Sequence, residues 1–337
     1  MFRHDQTYGT GDNYVKLYLI LFPKTLTELS QTRLYKLIRF HFLNADTHVY
    51  LAKKKDMKRE YYLVTSEALA NNLLFRDKED FQIAHNYLAI CKLNIGITLA
   101  AHCLMGNHFH LVVWSEPEIL KKFLTAFKRR YSMWLHRKYG LRQFMSKIKF
   151  QIDYLPDTAS TRRAIAYVLT NLQKANVNIS PDGYEWCSAN CYFNSRRVSG
   201  LRNASTIGIN ECRRLFRIRN RLNAEFYVDQ NGVIDCRSII SGTLVEKIFG
   251  SYKSLNYYMG IVKNEADITH YGGARNDSDI YGDLKAKYAN QYGVESIQDI
   301  PFEEKVGLIK VLKREYGSGP KQIARILGLP IEFISAY

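Results

Sequence analysis

The chain has 337 residues, 46% of them apolar and 24% charged, with a formal charge of +16 at pH 7. That length and balance exclude a disordered tail or a peptide and leave room for one large domain or two modest ones. The charge is uneven: ten Lys/Arg stand against the single acid Glu118 between 117 and 149, and eight Arg against Glu211 between 196 and 221. Clustered positive charge attracts polyanions and makes their binding salt-dependent, so nucleic acid is the first partner to consider, with a solvated basic face as the alternative.

No apolar run reaches the length that spans a bilayer, since the stretch 14–22 is short and carries Lys16. The first residues lack the pattern of a cleaved leader, so a cytoplasmic location and no membrane partner are expected. The six cysteines contain no Cys-x-x-Cys pair. Neither a zinc finger nor a disulfide framework is expected, and the thiols read as buried or bystander groups.

In chain order, residues 1–56 read as an N-terminal extension with an apolar stretch, a helix over 27–43 and the basic run Lys53-Lys54-Lys55. The alternation in YYLVTS predicts a strand from Tyr61, followed by a helix over 78–93 whose first turn Asp77 caps. ITLAAHCLM and HFHLVVW read as two strands joined at Gly106-Asn107, a pair whose tolerance of positive φ suits a tight hairpin. A basic helix then runs from Pro117 to just before Gly140. Its apolar positions Ile119, Leu120, Phe123, Leu124, Phe127, Tyr131 and Trp134 recur at helical spacing, with Lys121, Lys122, Lys128, Arg129 and Lys138 off that stripe.

KFQIDYL, residues 149–155, supplies a fourth strand, and 160–177 a helix burying Ile165, Val168, Leu169 and Leu172. The order β-α-β-β-α-β with a further helix predicts an α+β fold: an antiparallel sheet covered by helices on one side, the ferredoxin-like plan. This domain is expected over 57–195, an Arg-rich linker and accessory region over 196–300, and a helix-turn-helix over 301–337. In the last of these, PFEEKVGLIKVLKREYG reads as a helix and KQIARILGLPIEFISAY as two short helices broken at Gly328-Leu329-Pro330.

Side chains two apart on a strand point the same way, so His108 and His110 share one face while Phe109 and Leu111 take the other. Two imidazoles on a rigid strand can bind one divalent ion; the same spacing also suits two histidines that are only packed or solvated. Tyr167, Asn171 and Lys174, at i, i+4 and i+7, place a phenol, an amide and a cation in one row on a later helix, opposite its apolar stripe.

These blocks carry a resemblance. AHCLMGNHFHLVVW resembles the histidine-hydrophobic-histidine (HUH) signature strand of the single-tyrosine insertion-sequence transposases and REP-associated tyrosine transposases, where a Cys-Leu-Met-Pro-Asn-His-x-His run is common. YYLVTSEALANNLLFRDKEDF is similar to that family's first strand and the loop into its first helix. KFQIDYLPDTASTRRAIAYVLTNLQKANV is similar to the segment bearing the nucleophile, and DGYEWCSANCYF to the Trp-Ser-Ser-like run after it. The similarity covers about 61–193, with Gly106 in place of the usual proline and Asn-Leu-Gln in place of the usual Asn-Pro-Val.

The resemblance implies an HUH endonuclease fold in which Tyr167 is the nucleophile, His108 and His110 are metal ligands and Asn171 is the third. It further implies Mg²⁺ or Mn²⁺ as cofactor and a single-stranded or hairpin DNA partner, cut and rejoined through a 5′-phosphotyrosine. A free phenol, with a pKa of about 10, is a poor nucleophile at neutral pH, which is why such chemistry wants a cation on the phosphate. Lys121, Lys122, Lys128, Arg129, Arg130 and Lys174 are expected to hold the phosphate backbone. Phe127, Tyr131 and Trp134 are expected in the core rather than stacked on bases. A non-cutting DNA-binding regulator of the same fold, and a replication initiator or relaxase, are the alternatives; monomer and homodimer both stay open.

Overall fold

In the computed structural model the described residues are 58–174, 180–194, 199–265 and 275–335, with the side chains of 173, 174, 264 and 265 also set aside. The expected helix over 27–43 and the end of the helix expected to reach 177 lie outside them. Four strands form the central sheet: β1 (Glu60–Ser66), β2 (Thr98–Met105), β3 (His108–Ser115) and β4 (Phe150–Leu155). Their order is β2-β3-β1-β4 and every neighbouring pair is antiparallel. β1 and β2 therefore run parallel with β3 between them, which requires the long crossover that α1 (Lys78–Ile95) provides. Asp77 caps α1 by accepting the Asp80 N–H at 3.1 Å, and Gly96 ends it in the left-handed region at φ 80°.

The β2–β3 hairpin turns at Gly106-Asn107 with Met105 opposite His108. Neither turn residue takes a positive φ. The glycine serves a different purpose from the one its sequence suggests: a Cβ at 106 would lie 3.3 Å from the Cβ of Asp277, tighter than ordinary contact. The turn is also tied to the loop before α1, because the Gly106 carbonyl accepts from the N–H groups of Leu74 (2.7 Å) and Phe75 (2.9 Å).

Alternation along β3 assigns the two faces of the sheet. Phe109 meets Phe127 of α2 (Pro117–Tyr139) edge-on at 5.4 Å, so α2 covers that face, with α1 packed beside it. Of the expected stripe, Leu120, Phe123, Leu124, Phe127, Tyr131 and Trp134 are buried there and Ile119 is half-buried; Leu135 joins them. α3 (Thr158–Lys174) lies across the other face, its Tyr167 ring against His110. The expectation of helices on one side alone is thus corrected. α3 has a buried stripe of its own, Ile165, Val168, Leu169 and Leu172, which needs a partner surface separate from the one α2 covers.

After the sheet, the chain adds α4 (Ile209–Phe216), α5 (Gly242–Phe249) and α6 (Tyr252–Glu265). Phe216, Phe226, Val228, Ile234, Val245 and Leu255 join the same buried cluster as the sheet, and α6 packs on α3. The Arg-rich region therefore carries apolar residues into the core beneath its charged surface. All six cysteines are free thiols, and all but Cys236 are buried.

A second cluster, built from Ile280, Tyr281, Leu284, Ile309, Leu312, Ile323, Ile326 and others, gathers α7 (Asp277–Leu284), α8 (Phe302–Glu315), α9 (Pro320–Leu327) and α10 (Ile331–Ser335). Gly328 breaks α9 from α10 in the left-handed region at φ 67°. Leu73, from the loop between β1 and α1, belongs to this cluster, and Arg76 donates to Ser296 Oγ (3.0 Å) and Gln298 Oε1 (2.9 Å). The C-terminal helices are thereby fastened to the loop that holds the hairpin turn.

Candidate active site

Two histidines share one face of β3, and one of them, His110, meets Tyr167 from α3. The His108 and His110 rings stand 4.7 Å apart at 87°, and the His110 and Tyr167 rings 5.2 Å apart at 87°. The strand period puts both imidazoles on the α3 side, where the Tyr167 ring meets that of His110.

Both imidazoles are held through Nδ1. Asn107 donates its Nδ2 to the Leu69 carbonyl at 3.0 Å, which leaves Oδ1 to face His108 Nδ1 at 2.8 Å. An amide oxygen only accepts, so Nδ1 of His108 carries the proton and Nε2 the lone pair. His110 Nδ1 lies 3.0 Å from Thr65 Oγ1, on the residue directly across the ladder. A hydrogen-bond partner on one ring nitrogen is how a metal-binding histidine is aimed through the other. Burial pushes the His108 imidazole down to about 4, with the charge of Arg325 acting the same way and that of Asp277 opposing it.

Asn171 sits one turn beyond Tyr167 on α3, and it is 7% exposed. Its Nδ2 is buried with no hydrogen-bond partner among the described residues. Amide O and N are interchangeable by rotation, so this orphan position serves equally as an oxygen that accepts a cation. Among the described residues no three His, Cys, Asp or Glu side chains gather to hold a metal. The candidate donors are the two imidazole nitrogens of His108 and His110 and, one turn beyond Tyr167, the amide of Asn171.

The expected phosphate contacts divide. Lys121 and Lys122 are exposed on α2, Lys121 pairing with Glu118 at 2.9 Å, and Arg129 is exposed as well. Lys128 donates to the carbonyls of Ile148 (2.6 Å) and Ser146 (3.3 Å). Arg130 lines a cavity with Arg217, Arg219 and Arg221, and no carboxylate lines it. The side chain of Lys174 lies outside the described residues. All of the α2 cations sit over the sheet face opposite His108 and His110. Phe127, Tyr131 and Trp134 are buried.

Four guanidinium groups around one cavity repel each other unless an anion joins them. The triple change R217Q/R219Q/R221Q is expected to flatten the salt dependence of hairpin-DNA binding by about 0.9 in log K per log[salt] for each phosphate that these arginines neutralise. Titrations by fluorescence anisotropy across a salt series give the slope, and an unchanged slope excludes phosphate binding there.

Three neighbours of the site have no local sequence signal: Thr65, which reaches it only through strand register, and Asp277 and Arg325, which come from the C-terminal helices. No family model matches the chain, and no curated protein matches it. Among solved structures, it is similar to a REP-associated tyrosine transposase bound to a REP hairpin, with 14% identity over 40% of this chain and 78% of that chain and a TM-score of 0.33. At that score the likeness carries no argument about chemistry.

Proposed function

We propose that this chain is a single-tyrosine HUH endonuclease of the transposase kind, which cuts and rejoins single-stranded DNA at hairpin or palindromic sequences. The observation that carries the reading is the convergence of Tyr167 on His110, with His108 beside it and both imidazoles aimed through Nδ1. The strand order β2-β3-β1-β4 supports the ferredoxin-like plan on which such a site is built. The three C-terminal helices α8 to α10 fit an accessory DNA-binding module of helix-turn-helix type.

In this reading Tyr167 Oη attacks the scissile phosphorus in line with the leaving 3′-oxygen. The phenol gives up its proton as the Oη–P bond forms, and the departing 3′-oxygen takes one up as the P–O bond breaks. The result is a 5′-phosphotyrosine and a free 3′-hydroxyl. The ester is conserved, so the reverse attack by a 3′-hydroxyl rejoins DNA without ATP. Bound through Nε2 of His108 and His110 and the amide oxygen of Asn171, Mg²⁺ or Mn²⁺ would offset the charge that builds on the phosphate. Asn107 and Thr65 keep the imidazoles oriented, and the buried wall of β3 and α3 limits water that would compete with the 3′-hydroxyl.

Incubated with single-stranded hairpin DNA and Mn²⁺, the protein is expected to form an SDS-resistant protein–DNA complex that chelator or His108→Ala abolishes. Binding of the same DNA with no such complex under any divalent ion would favour a non-cutting regulator and sink the endonuclease reading.

A further inference from the structure

The hairpin turn that presents His108 lies under the C-terminal helices. Asp277, the first residue of α7, meets Gly106 so closely that any side chain at 106 would push against it. The Asp277 carboxylate accepts from Arg325 Nε at 2.6 Å and Nη2 at 3.1 Å, and from Gln322 Nε2 at 3.0 Å. The Asp277 and Arg325 side chains are 11% and 21% exposed, so this is no loose surface pair. The backbone of Arg325 is fixed too: its carbonyl accepts from Gln298 Nε2 at 2.9 Å, and Gln298 in turn accepts from Arg76 at the foot of α1. The Arg325 guanidinium is thus held by Asp277 and its backbone by Gln298, at the hairpin turn that Asp277 abuts and that leads into His108.

Asp277 occupies only the Nε and Nη2 edge of the guanidinium; Nη1 has no partner among the described residues. A planar guanidinium with one edge fixed by a carboxylate and the other open is preorganised for a phosphate oxygen.

We propose that Arg325, supplied by the C-terminal helices, is a phosphate-binding residue of the candidate active site, held in place by Asp277. This rests on the proposed function, whose substrate phosphate it would take. Module and site are then joined in one step: displacing α7 or α9 withdraws a phosphate ligand from beside the histidines. It also accounts for glycine at 106, since a proline ring there would displace Asp277 and with it Arg325.

The test uses the full chain and the hairpin DNA in which the unsubstituted protein forms its adduct, with the cut position mapped. At saturating DNA with Mn²⁺, Arg325→Gln is expected to slow adduct formation about 100-fold. Arg325→Lys, which keeps the charge and loses the fork, is expected to fall between the two. In metal-free binding, a neutral methylphosphonate at the mapped position should weaken the unsubstituted protein about tenfold and leave Arg325→Gln unaffected. A merely structural role would move the thermal midpoint but not that second difference. Adduct formation at the full rate in Arg325→Gln overturns this inference alone. If Arg325→Gln does not fold, Arg325→Lys at the full rate, with full sensitivity to the methylphosphonate, overturns it instead. Failure of the unsubstituted protein to form any adduct removes the proposed function, and this inference with it.

Discussion

Tyr167→Phe is expected to abolish the covalent protein–DNA complex while hairpin binding and the unfolding midpoint stay where they are. The substitution removes the phenol oxygen and keeps the ring. The ring that meets His110 edge-on at 5.2 Å remains, and so does the apolar contact of α3 with the sheet. The phenol oxygen is the atom that forms the ester, so the rate is expected to fall on the order of 10⁴-fold or more. Denaturing gels of labelled hairpin DNA with Mn²⁺ read the adduct, and anisotropy reads binding. Tyr252→Phe is the matched control. Tyr252 and Asn256 repeat the Tyr-to-Asn spacing on α6, yet Tyr252 is half exposed with its ring near Phe193. An adduct that survives Tyr167→Phe and disappears in Tyr252→Phe would move the chemistry to α6.

The contrast between those two tyrosines shows what sequence spacing can and cannot carry. Period two on β3 was enough to put His108 and His110 on one face, and period 3.6 on α3 was enough to turn Tyr167 away from the apolar stripe. Local chemistry likewise marked the ends of helices at Asp77, Gly140 and Gly328, while the stop at Gly96 lay three residues past the expected end at 93. None of these signals says which face of the sheet α3 covers, because a buried stripe records that a partner exists and not which one. The neighbours of His108 were out of reach for the same reason. Asp277 and Arg325 lie far along the chain from Gly106, and their meeting depends on how Leu73 and Arg76 fasten the second core. Gly106 misled most: its side-chain-free approach to Asp277, not positive φ, is what the position demands. Lys128 shows what the stripe leaves unsaid, for a cation off it also ties two backbone carbonyls.

Lys138 is a second such cation, and it leads to the largest expected stability effect. Asp80 is fully buried and accepts from Trp134 Nε1 (2.9 Å), Tyr139 Oη (2.9 Å), the Arg76 N–H (2.9 Å) and Lys138 Nζ (3.0 Å). Lys138 also reaches Asp77 at 2.7 Å and Glu79 at 2.9 Å, so one ammonium serves the whole first turn of α1. Burial, with the neighbouring charge of Asp77, pushes the Asp80 carboxyl above its usual range, while Lys138 works to keep it ionised. Asp80→Ala would strand an indole N–H and a backbone N–H in the interior and leave the Tyr139 phenol only its longer 3.3 Å bond to Asp77. Removing one partner of a buried, hydrogen-bonded charge pair costs about 3–5 kcal/mol, a large share of a domain's net stability. Urea unfolding followed by tryptophan fluorescence is expected to show that loss for Asp80→Ala. Asp80→Asn, which keeps an acceptor oxygen, should lose less. Lys138→Gln separates the structural role from a DNA-binding one: stability should fall while the salt dependence of hairpin binding stays unchanged. A flattened salt dependence at full stability would instead place Lys138 on the phosphate backbone. Asp77 extends the cluster to Lys285 in the C-terminal helices at 3.6 Å. The same substitutions therefore probe whether the helices that carry Arg325 stay seated when the first turn of α1 loosens.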